Sequence, residues 1–584
     1  MFAFSMQQNK PVLYPSNDNN TSSTLLFLCG DVDSPLDEFS SIVTWCPIRY
    51  HELKRNGIQN YLFGDFSPGA KQGEILDCVL HQRLDDCLHK EMETNPLMKF
   101  VPLSIQQIKW PLSRYFWLKE CVRKIFQTFQ PKRCVISSQE DDDIVCAVKT
   151  VAEEFQIHVE VRIGIFDGTS STLYREAPYG LPLKLDFLWL FKFHWKLIGI
   201  LRPRISVLLE SYPNIKNAYM PRFVYVLNLE RALAIFRMVY KKLLRILRIS
   251  SAGVVVRMEP IIKNKKMVIN CASIWVMFSK DEQEIINGAI VQFFSHYSPS
   301  FLEDISGRIA YIFSTIKLTR LIISIDQLDA GRLLTYIAKK CGVQVDYLPH
   351  GVLYEDYSGM HRDSLFYPDR VLAWNEDSRN ALRHLGWDSV NIKHPVNQHV
   401  VVPLKRPPNN YRLWQVLVLI PDWGIVSQGG REDCAITDLI EVYNGLTEIG
   451  IPGLHIHVKY HGISGIKKAQ EAKEIHLKRL QQLLDMRFFI LNSSLRMGDV
   501  VVNYDLVIVG VTTGIFEVVL RGVPVVLFGD GFNRVGALER YPLPRARTGK
   551  ELQESVQAYH TSSVDEVYTH LAQSLQAGSS ISYV

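Results

Sequence analysis

The sequence predicts an α/β protein built on parallel sheets, and three observations carry that expectation. Short, uninterrupted apolar runs recur along the chain. Stretches with helical spacing lie between them. Glycine and proline mark the changes from one to the other. Strands of a parallel sheet are buried on both faces, so they read as continuous apolar runs rather than alternating ones. Strands that alternate with helices make such sheets.

The elements follow in order. Residues 1–22 are expected to form a flexible N-terminus, and STLLFLCGD (23–31) a first buried strand. RCVISSQEDDDIVCAVKTVAEEFQIHVEVRIG (133–164) changes from an apolar run to helical spacing and back, which predicts strand, helix, strand. KLTRLIISIDQLDAGRLLTYIAKKCGVQVDYLPHG (317–351) repeats the pattern, with a strand at 320–325, a helix at about 329–340, Gly342 as its C-cap and a strand at 344–348. A second series follows the Pro-rich VVPLKRPPNN (401–410). WQVLVLIPD (414–422), LHIHVKYH (454–461), RFFILN (487–492), YDLVIVG (504–510) and PVVLFGD (524–530) are five strand candidates. The expected division is therefore an N-terminal α/β domain from 23–180 and 251–400, and a C-terminal α/β domain over 412–575.

A chain of 584 residues exceeds one core, and 47% hydrophobic with 21% charged residues is a globular composition. The net charge of +5 is slight, and no long Lys/Arg tract appears, so nucleic acid is not an expected partner. The ten cysteines form no C-x-x-C pair, and several lie in apolar runs. They read as buried free thiols of a reducing cytosol rather than a disulfide frame or a zinc site. The N-terminus MFAFSMQQNKP lacks a basic region followed by an apolar stretch, so no secretory signal is expected.

Residues 181–250 stand apart and are expected to form a helical insertion. LDFLWLFKFHWKLIGIL (185–201) is too short for a membrane span and carries an acid and two lysines. In RFVYVLNLERALAIFRMVYKKLLRILRIS (222–250), Arg237, Lys241, Arg245 and Arg248 share one helical face. Such a helix suits an anionic membrane surface, or is an ordinary insertion with a solvated basic face.

Ligands of open parallel sheets bind beyond the carboxyl ends of the strands. Three such places stand out. His350 and Gly351 directly follow VQVDYLP; an imidazole there can take a proton from a hydroxyl, or merely bond a loop carbonyl. Lys459 and His461 alternate at the end of LHIHVKYH, where they can bind a phosphate or protonate a leaving oxygen. His455 and His457 share their side of the strand and read as structural; a metal reading lacks a carboxylate or cysteine partner. In YDLVIVGVTTGIFEVVLRGVPVVLFGD (504–530), Thr512, Thr513 and Gly514 open a short helix, whose N-terminus is an anion site. Glu517 lies in its first turn, where it either complements the helix dipole or holds ribose hydroxyls.

Together these motifs resemble a known family. HG after a strand in the first domain is joined by K-x-H at a strand end in the second, and by an Asp-led strand (Asp505 onward) with T-T-G-x₂-E-x₄-G-x-P. The pattern is similar to glycosyltransferases of the GT-B architecture, in which two Rossmann-like domains face a cleft. It is closest to metal-independent bacterial enzymes of surface polysaccharide assembly: the sialyl- and Kdo-type transferases of capsule and lipopolysaccharide, and the CDP-glycerol glycerophosphotransferases. PDRVLAWNEDSRNALRHLGW (368–387) fits as well, with Trp374-Asn375 where the family has Trp-Gly. His461-Gly462 replaces the usual His-Pro, and Thr512-Thr513 the Ser-Ser or Ser-Thr. The likeness spans roughly residues 317–530.

The resemblance implies a donor nucleotide held by the C-terminal domain, with Lys459 and His461 at its phosphate, Thr512, Thr513 and Gly514 beside them and Glu517 near the ribose. It implies His350 as the base for the acceptor hydroxyl, with Asp326 and Glu355 as alternatives. The expected partners are a CMP-, CDP-, UDP- or GDP-linked sugar and a glycan or lipid-linked acceptor, with residues 185–250 touching a membrane surface. No metal or other cofactor is expected, since no D-x-D motif stands at a strand end. The expected location is cytoplasmic, peripheral on the inner face of the membrane. Other readings are glycerol-phosphate transfer, sugar-nucleotide epimerisation and a non-catalytic nucleotide-binding assembly protein.

Overall fold

The structure is a computed structural model. It describes residues 23–28, 35–45, 47–66, 83–84, 96–138, 143–163, 207–210, 224–227, 278–297, 299–315, 318–323, 329–347, 365–373, 383, 392–393, 415–420, 432–451, 453–460, 467–492, 495, 500–510, 515, 518, 523–529 and 543–561. Its strands form three sheets, parallel throughout. The chain divides into two compact units, one of residues 1–66 and 119–167, the other of 67–118 and 168–584.

The first unit holds β1 (Thr24–Leu28), β2 (Ser41–Thr44), β3 (Tyr61–Leu62), β4 (Arg133–Ser138) and β5 (His158–Ile163) in the order β3-β2-β1-β4-β5. All five residues of β1 are buried, as a central parallel strand requires. Helix α1 (Pro47–Arg55) follows β2. Helix α2 (Ile105–Phe129) enters this unit at Lys119, and α3 (Asp143–Phe155) joins β4 to β5. Phe27 packs edgewise on Phe126, with ring centroids 6.1 Å apart. On the edge strand, Glu160 pairs with Arg162 and Arg133, and Arg162 also reaches Glu38.

The second unit contains two sheets. One combines β6 (Val207–Glu210), β7 (Val224–Leu227), β8 (Arg320–Ile323), β9 (Gln344–Tyr347), β10 (Arg370–Leu372) and β11 (Ile392–Lys393) in the order β11-β10-β9-β8-β6-β7. Helices α4 (Lys280–His296), α5 (Pro299–Thr315) and α6 (Asp329–Lys340) supply its core: Phe293, Ile305, Ile309, Leu333 and Ile337 pack with Leu321, Ile323, Val345, Tyr347 and Val371. Ser279 and Glu282 make a capping box at the start of α4. Gly342, at φ +70°, ends α6 as the sequence predicts. Its N–H donates to the Lys339 carbonyl at 3.0 Å, and that of Val343 to Ala338 at 2.8 Å.

A carboxylate lies inside this sheet. Asp346 is 0% exposed, directly opposite Arg370 in the register. Arg370 donates to its two oxygens at 2.7 and 2.8 Å, and Arg320 pairs with it from the other side. A buried charge persists only when paired and hydrogen-bonded, and here three neighbouring strands supply the pairing.

The other sheet has β12 (Gln415–Ile420), β13 (His455–Tyr460), β14 (Phe489–Ile490), β15 (Leu506–Val509), β16 (Val525–Phe528) and β17 (Arg545–Ala546). Its order is β14-β13-β12-β15-β16-β17, so counted from its own first strand it runs 3-2-1-4-5-6. That is the order of dinucleotide-binding sheets, with the crevice where the winding reverses, between strands 1 and 4. All five strands expected after residue 412 are present as β12–β16. Helices α7 (Glu432–Glu448), α8 (Lys467–Leu484) and α9 (Gly549–Thr561) accompany them. α7 and α9 meet at two glycines: a Cβ on Gly445 would lie 2.7 Å from the Gly549 carbonyl oxygen.

Two features differ from the sequence reading. Residues 23–180 and 251–400, expected to share a domain, contribute to two separate sheets. Residues 207–210 and 224–227 are strands inside the stretch expected to be a helical insertion, where β6 pairs with β8. VLLE and VYVL are apolar runs that suit a buried parallel strand, and helical spacing further along hid them. The remainder of 181–250, with its four basic residues, lies outside the described residues. Among the described residues no helix is long and apolar enough to cross a membrane.

Candidate functional site

The site is built at the carboxyl ends of β12 and its two neighbours. In a parallel sheet, residues paired across strands point to the same side. Lys459, Leu419, Val509 and Leu527 are successive partners, so they form one row across β13, β12, β15 and β16. At a strand spacing of about 4.8 Å, Lys459 and Val509 stand about 10 Å apart, on either side of the switch strand β12. Leu419, Val509 and Leu527 belong to an apolar cluster that also takes in Ile515 and Val518. Ile515 and Val518 are helical, and three residues apart they share a helix face. Ile515 and Val518 therefore pack on the sheet side from which Lys459 projects.

Lys459 is 6% exposed. Lysine is rarely buried so fully, because its ammonium loses hydration. One row back, His457 is engaged sideways: its Nδ1 shares a hydrogen bond of 2.9 Å with the Tyr504 hydroxyl, and its ring lies 5.1 Å from that of Phe489. Burial, and then the neighbouring His455, lower the His457 pKa from its ordinary 6.5, which favours the neutral imidazole. Burial raises the Tyr504 phenol. His455 stacks on Phe489. Among the described residues no group of three or more His, Cys, Asp or Glu is placed to hold a metal ion.

Asp505, the acid that leads the motif strand, has a structural task. It accepts the Gln415 N–H at 2.8 Å and donates its own N–H to the Gln415 carbonyl, which ties the start of β15 to β12. Asp369, ahead of β10, repeats the device on Val345 of β9, again at 2.8 Å. Both sit at the amino ends of their strands, away from the carboxyl ends where ligands bind.

Of the residues expected to act, Lys459 is described. Asp326, His350, Glu355, His461, Thr512, Thr513, Gly514 and Glu517 lie outside the described residues. β8 and β9 are neighbours that end level, with Ile323 opposite Tyr347, so Asp326 and His350 each follow three residues after a common row. The carboxylate of Asp438, on α7, lies against Gly529 just beyond the carboxyl end of β16. Nothing in the spacing of α7 distinguishes it from a solvated acid.

No protein-family model matches the sequence, and no curated protein does. Among solved structures, the chain is similar to a UDP-GlcNAc 2-epimerase from Methanocaldococcus jannaschii, solved with UDP-GlcNAc and UDP, at 14% identity and a TM-score of 0.31 over 45% of this chain and 75% of that one. It is similar to a glycosyltransferase from Rickettsia africae at 11% identity and a TM-score of 0.34, over 50% and 82% of the two chains. It is also similar to Anabaena HepE, solved with UDP and glucose, at 12% identity and a TM-score of 0.32, over 47% and 76%.

Proposed function

We propose that the chain is an inverting, metal-independent glycosyltransferase that moves a sugar from a CMP-, CDP-, UDP- or GDP-linked donor to a growing surface glycan. One observation carries the reading: buried Lys459 stands one residue from the end of β13, beside the switch strand of a 3-2-1-4-5-6 sheet and on the side where Ile515 and Val518 pack. A buried cation beside such a switch strand suits a nucleotide phosphate.

The chemistry follows from the groups. His350, or Asp326 or Glu355 in its place, takes the proton of the acceptor hydroxyl. The freed oxygen attacks the anomeric carbon, and the bond from that carbon to the donor phosphate oxygen breaks. Lys459, His461 and the amides and hydroxyls of Thr512-Thr513-Gly514 stabilise the charge that gathers on the departing phosphate. Glu517 holds the ribose. The acceptor is a glycan or a lipid-linked chain, and the basic residues Arg237, Lys241, Arg245 and Arg248 hold the enzyme to the inner face of the cytoplasmic membrane.

The test is a turnover assay with the four donor classes. His350→Ala should lower kcat by about 10²- to 10⁴-fold with donor binding unchanged. Unaltered turnover in that variant would remove the base from the scheme. Inversion at C2 of a free nucleotide sugar, or transfer of glycerol phosphate, would replace glycosyl transfer by the alternative reactions on the same fold. Nucleotide binding with no turnover of any donor would favour the assembly role.

A further inference from the structure

We draw no further inference here: the strongest candidate, the surface patch of His455, His457 and the exposed ring of Phe489 where β13 and β14 meet at the edge of their sheet, carries nothing, because nothing among the described residues shows what covers it.

Discussion

Replacing Arg370 by alanine tests whether the charge inside the β8–β10 sheet is held as the structure implies. Asp346 has no exposed surface, and Arg370 supplies two of its hydrogen bonds, at 2.7 and 2.8 Å. Hydrogen bonds to a charged group contribute about 1.5–3 kcal/mol each, and removing one partner of a buried pair costs about 3–5 kcal/mol. Arg320 remains beside the carboxylate and offsets part of the loss, so the expected destabilisation is about 3 kcal/mol. At about 2–4 °C per kcal/mol, the transition of the unit that contains the sheet should fall by about 6–12 °C. The readout is urea and thermal unfolding of Arg370→Ala, followed by circular dichroism. The Arg370→Ala/Asp346→Ala double variant should be less destabilised than the sum of its singles, because the stranded charge has gone. A loss of under about 1 kcal/mol in Arg370→Ala, as for a surface pair, would refute the argument.

Three further outcomes follow from local geometry. Gly445→Ala should cost about 1–3 kcal/mol, because its methyl meets Gly549 backbone at 2.7–2.8 Å and no flexible side chain can yield; equilibrium unfolding reads the loss. Gly342→Ala should cost about 1–2 kcal/mol from its left-handed φ of +70° alone, since nothing lies within 4 Å of the added carbon; unfolding of this variant beside Gly445→Ala separates strain from clash. His457 has a folded pKa below its ordinary 6.5, so as pH falls through that value the unfolded chain takes up a proton that the folded chain resists, and stability drops. His457→Gln should flatten the dependence of the unfolding midpoint on pH between neutrality and mild acid; an unchanged profile would assign it to other groups, such as His51, whose pKa is lowered in the same direction.

Much of the fold was legible because parallel strands buried on both faces leave continuous apolar runs, as TLLFL, QVLVLI and LVIV do. Gly342 was legible because a helix C-cap needs the left-handed region that glycine enters freely. β17 escaped because two residues carry no period. The partition into three sheets escaped because pairing at long separation leaves no local trace: Val207 of β6 lies opposite Arg320 of β8. The charge of Asp346 inside β9 is explained only by tertiary pairing, since its arginines lie 26 and 24 residues away in the chain. At the site, the place of Lys459 was legible from strand alternation, and the structure adds its burial and the row it shares with Leu419 and Val509. The Tyr504–His457 contact and the approach of Asp438 to Gly529 depend on tertiary packing that no sequence spacing encodes.

The central claim is that a nucleotide phosphate seats where β13 and β15 leave the sheet. The direct measurement is the unfolding midpoint of the wild type and of Lys459→Ala with and without CMP, CDP, UDP and GDP. A nucleotide at about 100 times its dissociation constant should stabilise the wild type by about 2.7 kcal/mol. Losing one charge-assisted contact of about 1.5–3 kcal/mol should weaken its binding to Lys459→Ala by about 10- to 100-fold. Equal stabilisation of both proteins by the same nucleotide would place the phosphate elsewhere and contradict the account.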